Sequence, residues 1–247
     1  MSEVFSQPYQ LKTCACDHNG QWKPGDIMVQ LQDIAGAQCT SLGFGRKAIY
    51  AKYGVVWVVT RMQINMRRYP SFGDTVTLTT YAGKTRRFFY PRSTLIKDAR
   101  GEQIGECMSQ WVLCDVKDRK MQNVPEIAET FPVSDLAPAI PTFMSPADVK
   151  EGLREEIREP VYTDLDANGH VNNTRYVDWL CDALGIPLMT EKQIASFLID
   201  YRHELRPGQA VNLRLGHTDT EYAMSGYVDG TLCFDISGQL AGREKNA

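Results

Sequence analysis

At 247 residues, 43% hydrophobic and 23% charged, the chain has the balance of a globular protein that can bury one large core or two small ones. A net charge of -3 excludes a surface dominated by positive charge, and with it a dedicated nucleic-acid binder. With no run of about 18 apolar residues to span a bilayer and no basic start followed by an apolar stretch, the expected location is the cytoplasm.

In chain order, the first helical signal lies between Asp26 and Tyr53, where Ile27, Leu31, Ile34 and Ala35 recur at helical spacing and Gly43-Phe44-Gly45 marks a helix end. Alternation follows. Met62, Ile64 and Met66 point one way from the strand Val55 to Met66, with Arg61, Gln63, Asn65 and Arg67 opposite. Tyr69 to Asp74 turns, Thr75 to Tyr81 resumes the alternation, and Phe88 to Lys97 and Ile104 to Asp115 complete an antiparallel meander. The segment 131–159 is rich in proline and acid, with Pro132, Pro138, Pro141 and Pro146 forbidding a long helix, and reads as a connection over the surface.

Beyond it the order repeats. A helix is expected from Asn172 or Asn173, with Tyr176, Val177, Leu180 and Leu184 on one stripe, stopped by Gly185 and Pro187. Strands follow at Ser196 to Glu204, Val211 to Leu215, Tyr222 to Val228 and Leu232 to Leu240. Aligning Gly73 with Gly208 superposes Met62, Ile64, Val76 and Leu78 on Phe197, Ile199, Val211 and Leu213, the mark of an internal duplication. The expected fold class is α+β: residues 1–130 and 160–247 each form a curved antiparallel sheet wrapped around a helix.

The densest chemistry is Asp166-Ala167-Asn168-Gly169-His170-Val171-Asn172-Asn173, just ahead of the second helix. In an extended loop Asp166, Asn168 and His170 share one side. The helix N-terminus favours negative charge nearby, so amides at Asn172 and Asn173 suit an oxyanion while a carboxylate or imidazole activates water. Residue by residue, the same stretch is equally a turn and a helix cap. GxSxG, GxxxxGK[ST], GxGxxG and HExxH motifs are all missing from the sequence. Seven cysteines, including Cys14-Ala15-Cys16, show no paired spacing that suggests a metal, and read as reduced thiols; no cofactor is expected.

The octad, with Tyr176 and Trp179, joins Trp57-Val58-Val59-Thr60-Arg61-Met62-Gln63 and Arg68-Tyr69-Pro70-Ser71-Phe72-Gly73-Asp74 to resemble the acyl-acyl-carrier-protein (acyl-ACP) thioesterases, a family of two tandem hotdog domains. The resemblance implies hydrolysis of a fatty acyl thioester on acyl carrier protein, with Asp166, Asn168 and His170 catalytic in the second domain and the acyl pocket in the first. It adds Glu204 from Tyr201-Arg202-His203-Glu204 as base or water-positioning group. Where plant members carry a cysteine after that glutamate this chain has Leu205, so direct attack by water is expected, with Glu204 or Asp166 activating it. Cys181 reads as core packing. Strand parity sets Glu204 with Asp200 and Arg202, so it needs a bulge to reach the site.

An acidic carrier protein calls for a basic docking surface, for which Lys84, Arg86, Arg87 and Arg92, then Arg202 and Arg206, are the candidates. The duplication already pairs two halves, so monomer and homodimer are both open. The alternatives are a hotdog thioesterase acting on acyl-CoA and a non-catalytic acyl-binding module.

Overall fold

The computed structural model describes residues 3–243. The alternating segments become strands because one face of each has a core to cover: Met62, Ile64 and Met66 are buried, as are Val76, Leu78, Phe197, Ile199, Val211 and Leu213. The first half comprises β1 (Val4–Gln10), α1 (Pro24–Ser41), α2 (Arg46–Tyr53), β2 (Val55–Met66), β3 (Thr75–Ala82), β4 (Tyr90–Lys97), β5 (Gln103–Asp115), β6 (Met121–Gln122) and α3 (Pro125–Thr130). The second comprises β7 (Arg154–Arg158), α4 (Arg175–Leu184), α5 (Ile186–Glu191), β8 (Lys192–Tyr201), β9 (Val211–His217), β10 (Glu221–Val228) and β11 (Thr231–Gly242).

The strands form one antiparallel sheet in the order β1-β3-β4-β5-β2-β8-β11-β10-β9-β7, with β6 paired to β5. Read outward from the β2/β8 seam, both halves have the same order. Across the seam Met62 faces Ile199 and Ile64 faces Phe197, the pairing a twofold repeat requires of the superposed residues. Arg61 grips the Asp200 carboxylate through Nε and Nη2 at the same seam.

Each helix lies on the inner face of its sheet. Along α1, Ile27, Leu31, Ile34 and Ala35 are buried, and Pro24 occupies the first turn, where its missing N–H costs nothing. On α4, Tyr176, Val177, Leu180 and Leu184 are buried, each worth roughly 1.5–3 kcal/mol relative to exposure.

Several boundaries differ from the sequence reading. The single helical region is two helices, because the chain breaks at Gly43 to Gly45, where a Cβ on Gly45 would lie 2.6 Å from Thr40 Oγ1. The edge strands β1 and β7 escape the alternation pattern because each has one neighbour and little to cover. Strand β7 falls inside segment 131–159 and pairs with β9, so the connection is shorter than expected. Pro187 does not end helical structure: α4 stops at Leu184, and Pro187 sits in the first turn of α5.

Candidate functional site

The loop holding Asp166, Asn168 and His170 is a tight hairpin rather than an extended segment. Leu165 bridges Val171, the Asp166 amide donates to His170 O at 2.8 Å, and Gly169 takes a left-handed φ of 75°. Asp166 is the hub. Its Oδ1 accepts the amides of Asn168 at 2.7 Å and His170 at 3.4 Å, and its Oδ2 accepts Asn168 Nδ2 at 3.0 Å. The carboxylate therefore shapes the loop and aims Asn168, whose Oδ1 accepts Arg46 Nη2 from α2 at 2.5 Å.

Glu204 does reach this loop. β8 ends at Tyr201, and the next two amides, Arg202 and His203, both donate to Cys233 O, at 2.9 and 3.0 Å. Two donors on one carbonyl break the strand parity as a bulge does and turn Glu204 toward His170. Its Oε2 lies 3.4 Å from His170 Nε2, and Arg206 Nη2 is 4.0 Å from the same oxygen. The loop is held in place by Leu205, which is buried and whose carbonyl accepts the Val171 amide at 2.9 Å.

Two arginines that the sequence reading left out complete the site, both from the first half: Arg46 and Arg119. Arg119, in the turn after β5, donates to Glu204 Oε1 in a short ion pair, and its Nη2 lies 3.5 Å from His170 Nδ1. An arginine can only donate, so His170 Nδ1 is the acceptor and the neutral ring carries its proton on Nε2, facing Glu204. The hydrogen bond to Glu204 holds the Arg119 guanidinium above its ordinary pKa. The His170 side chain is 13% exposed and Glu204 45%, so solvent reaches the carboxylate while the imidazole is walled in.

The helix N-terminus differs from expectation. α4 begins at Arg175, because Asn172 Oδ1 accepts both the amide and the hydroxyl of Thr174 in a turn that delays the helix. The Asn172 amide is committed to Asp164 O at 2.8 Å and offers nothing to an oxyanion. Asn173 instead carries a buried Nδ2 without a partner. Arg92 is not a docking residue: it is 5% exposed and bonds Gln38, Thr80 and Cys39 inside the first half, where burial lowers its pKa. Lys84, Arg86, Arg87, Arg202 and Arg206 are exposed. Cys181 packs against the core and burial pushes its thiol up; burial also raises the Cys114 thiol, which feels the charges of Arg119 and Glu204.

Beside the site a cavity of about 420 Å³ opens between α1, α2 and the first-half sheet, within the range of small-ligand pockets. Trp57, Tyr90, Trp111 and Phe131 wall it, and Arg46, which holds Asn168, also lines it. The second half is filled at its inner face: Tyr176 meets Phe234 at 4.5 Å between ring centroids and Tyr201 at 5.4 Å.

The first half holds a second copy of the loop. Asp17-His18-Asn19-Gly20 matches Asp166-Ala167-Asn168-Gly169: Asp17 Oδ1 accepts the amides of Asn19 at 2.9 Å and Gln21 at 3.0 Å, and Gly20 takes φ 74°. Trp22 N donates to Pro70 O at 3.0 Å, as Val171 N does to Leu205 O. This repeat is visible in the sequence and would have marked Asp166 as a loop former. It also sets Gln21 where the other loop has His170, and Tyr69 where the other has Glu204. Arg243 closes this copy, bonding Asp17 Oδ2 at 2.7 Å and Gln21 Oε1.

Two curved sheets, each around a helix and joined edge to edge at a twofold seam, define a double-hotdog protein. The chain belongs to the acyl-ACP thioesterase family, matching its N-terminal domain over residues 2–131 and its C-terminal domain over 147–230. A chloroplastic acyl-ACP hydrolase of Cuphea viscosissima is 33% identical over 196 residues, which is 73% of this chain and 47% of the relative. A chloroplastic dodecanoyl-ACP hydrolase of Cinnamomum camphora is 29% identical over 192 residues, 72% of this chain and 50% of the relative. The chain thus spans about half the length of the curated relatives it matches. A 12:0-ACP thioesterase from Umbellularia californica shares the fold at TM-score 0.86 and 22% identity, covering 98% of this chain and 99% of that one. An acyl-ACP thioesterase from Bacteroides thetaiotaomicron does so at TM-score 0.83 and 22% identity, covering 98% and 100%.

Proposed function

We propose that the protein hydrolyses the thioester of a fatty acyl chain on acyl carrier protein, releasing free fatty acid and carrier protein, with water as the direct nucleophile. The observation that carries this reading is the contact of His170 with Glu204 on a loop tied to an aromatic-walled cavity through Arg46, which lines the cavity and holds Asn168. Residues 1–130 act as the acyl-binding half and 160–247, together with β7, as the catalytic half, so their connection is the part of 131–159 ahead of Arg154. The acyl chain lies between Trp57, Tyr90, Trp111 and Phe131, and the thioester sits near Asn168.

Glu204 is the base, because Asp166 spends both carboxylate oxygens on its own loop. Water adds to the carbonyl carbon as its proton passes to Glu204. The second Nδ2 proton of Asn168 is the donor for the oxyanion, while His170 Nε2–H faces Glu204. Collapse breaks the C–S bond, and the Glu204 proton goes to the departing thiolate. No cysteine takes part, since Leu205 is hydrocarbon and the neighbouring thiols are kept protonated by burial.

The carrier protein docks on the exposed Lys84, Arg86, Arg87, Arg202 and Arg206, of which Arg206 stands beside Glu204. The protein works in the cytoplasm as a monomer or homodimer; among the described residues no helix is long and apolar enough to cross a membrane. Feeding mixed acyl carrier proteins and matched acyl-CoAs, and measuring the released acids, tests the reaction and the handle together. Faster release from carrier protein is expected. Equal or faster release from CoA contradicts the proposed substrate, and binding without release contradicts the proposed enzyme.

A further inference from the structure

The trio and Glu204 all belong to the second half, yet the group that touches both His170 and Glu204 does not. Arg119 stands in the turn between β5 and β6, held by a local device: Asp115 Oδ1 accepts the amides of Lys117 and Asp118 at 2.7 and 2.9 Å, and the Arg119 amide donates to Asp115 O at 3.0 Å. Arg119 itself adopts φ 56°, a left-handed conformation that a non-glycine residue takes at a cost. From there its guanidinium reaches across to Glu204 Oε1 and to within 3.5 Å of His170 Nδ1. A fork of donors suits two acceptors at once, whereas a lysine would meet one.

We propose that Arg119 is a positioning residue of the hydrolytic site: it fixes the rotamer of Glu204 and the tautomer of His170, so that the working centre is assembled from both halves. This rests on the reading of Glu204 as the base. The groups facing the pair are Arg119 itself, Arg206 at 4.0 Å from Glu204, Asp166 on the adjoining loop and Cys114 on β5. Arg119 and Arg206 are its cations, and only Arg119 touches His170.

The test is Arg119→Ala, Arg119→Gln and Arg119→Lys in the full chain, each checked for an unchanged Tm. For Ala and Gln, kcat is expected to fall about 30-fold or more with KM within about threefold. Lys is expected to recover only part of kcat, because it meets one of the two acceptors. A second readout needs no turnover: long-range proton–nitrogen spectra of His170 should show one tautomer, protonated at Nε2, in the parent and a mixture in Arg119→Ala. A change confined to KM, or an unchanged tautomer, would each overturn the assignment. If the parent releases no acid from any acyl carrier protein, the proposed reaction fails while the tautomer measurement still decides the role of Arg119.

Discussion

The two Asp-x-Asn-Gly loops are the same piece of backbone put to different ends. Both have an aspartate accepting the amides two and four residues on, and both hang from a carbonyl of the chain leaving the central strand. The first is sealed: Arg243 and Asp17 are 11% and 17% exposed, and the arginine also donates to Met189 O and Lys192 O. The second is open: Arg119 and Glu204 are 40% and 45% exposed, and His170 and Glu204 replace Gln21 and Tyr69. Tyr69 is buried with its hydroxyl on Ile194 O at 2.7 Å, so the two positions that match His170 and Glu204 carry neither an imidazole nor a carboxylate in that copy. The same Asx loop stands in both halves, and the two copies differ at the positions of His170 and Glu204. The division of labour crosses over, because the half with the sealed loop has the cavity and the half with the open loop has a solid aromatic core.

Replacing the carboxylate strikes this comparison hardest. Glu204→Gln is expected to lower kcat by about 10² to 10⁴ with little change in Tm, since the side chain is nearly half exposed. Writing the sealed loop's residue into the open one, His170→Gln, should cost about 10² or more in kcat, while the reciprocal Gln21→His should create no second active site; steady-state rates on acyl carrier protein compare the two. Arg243→Ala is expected to act on stability instead. It leaves the nearly buried Asp17 without its cation, a loss of about 1–3 kcal/mol, seen as a fall of about 2–4 °C in Tm per kcal/mol with kcat kept at temperatures below the transition.

The smallest effect concerns the contact between the two helices. Asp178 on α4 packs against Gly25 at the start of α1, where a Cβ would come within 2.0 Å of Asp178 Oδ1. Burial raises its carboxyl above the ordinary value although Arg175 bonds it at 2.9 Å. A raised folded-state pKa means the fold prefers the protonated acid, so stability from this group is present at low pH and lost as pH rises through the carboxylate range. Asp178→Asn should therefore raise Tm at neutral pH, with the gain vanishing in acid; a gain that persists in acid would assign the effect to packing.

Much of this was legible because it is local. Period-two burial exposed the long strands, and the octad placed Asp166, Asn168 and His170 ahead of a helix. What was hidden depends on distant chain. The bulge that turns Glu204 is made by Cys233 O, the cation on that glutamate comes from the turn after β5, and Arg92 looked like surface because only its contacts with Gln38, Thr80 and Cys39 show it to be inside. β7 hid for a different reason: Arg-Glu-Glu-Ile-Arg has no apolar face to report, since an edge strand with one neighbour needs none.

The central claim is that solvent, activated by Glu204, cleaves the thioester without an acyl-enzyme. Rapid-quench kinetics with excess enzyme, following free carrier protein and free fatty acid together and weighing the intact protein by mass spectrometry, tests it most directly. The two products should appear at one rate with no acylated protein, and Glu204→Gln should slow both equally. Carrier protein released ahead of fatty acid, with an acyl group on any residue of the chain, would contradict it.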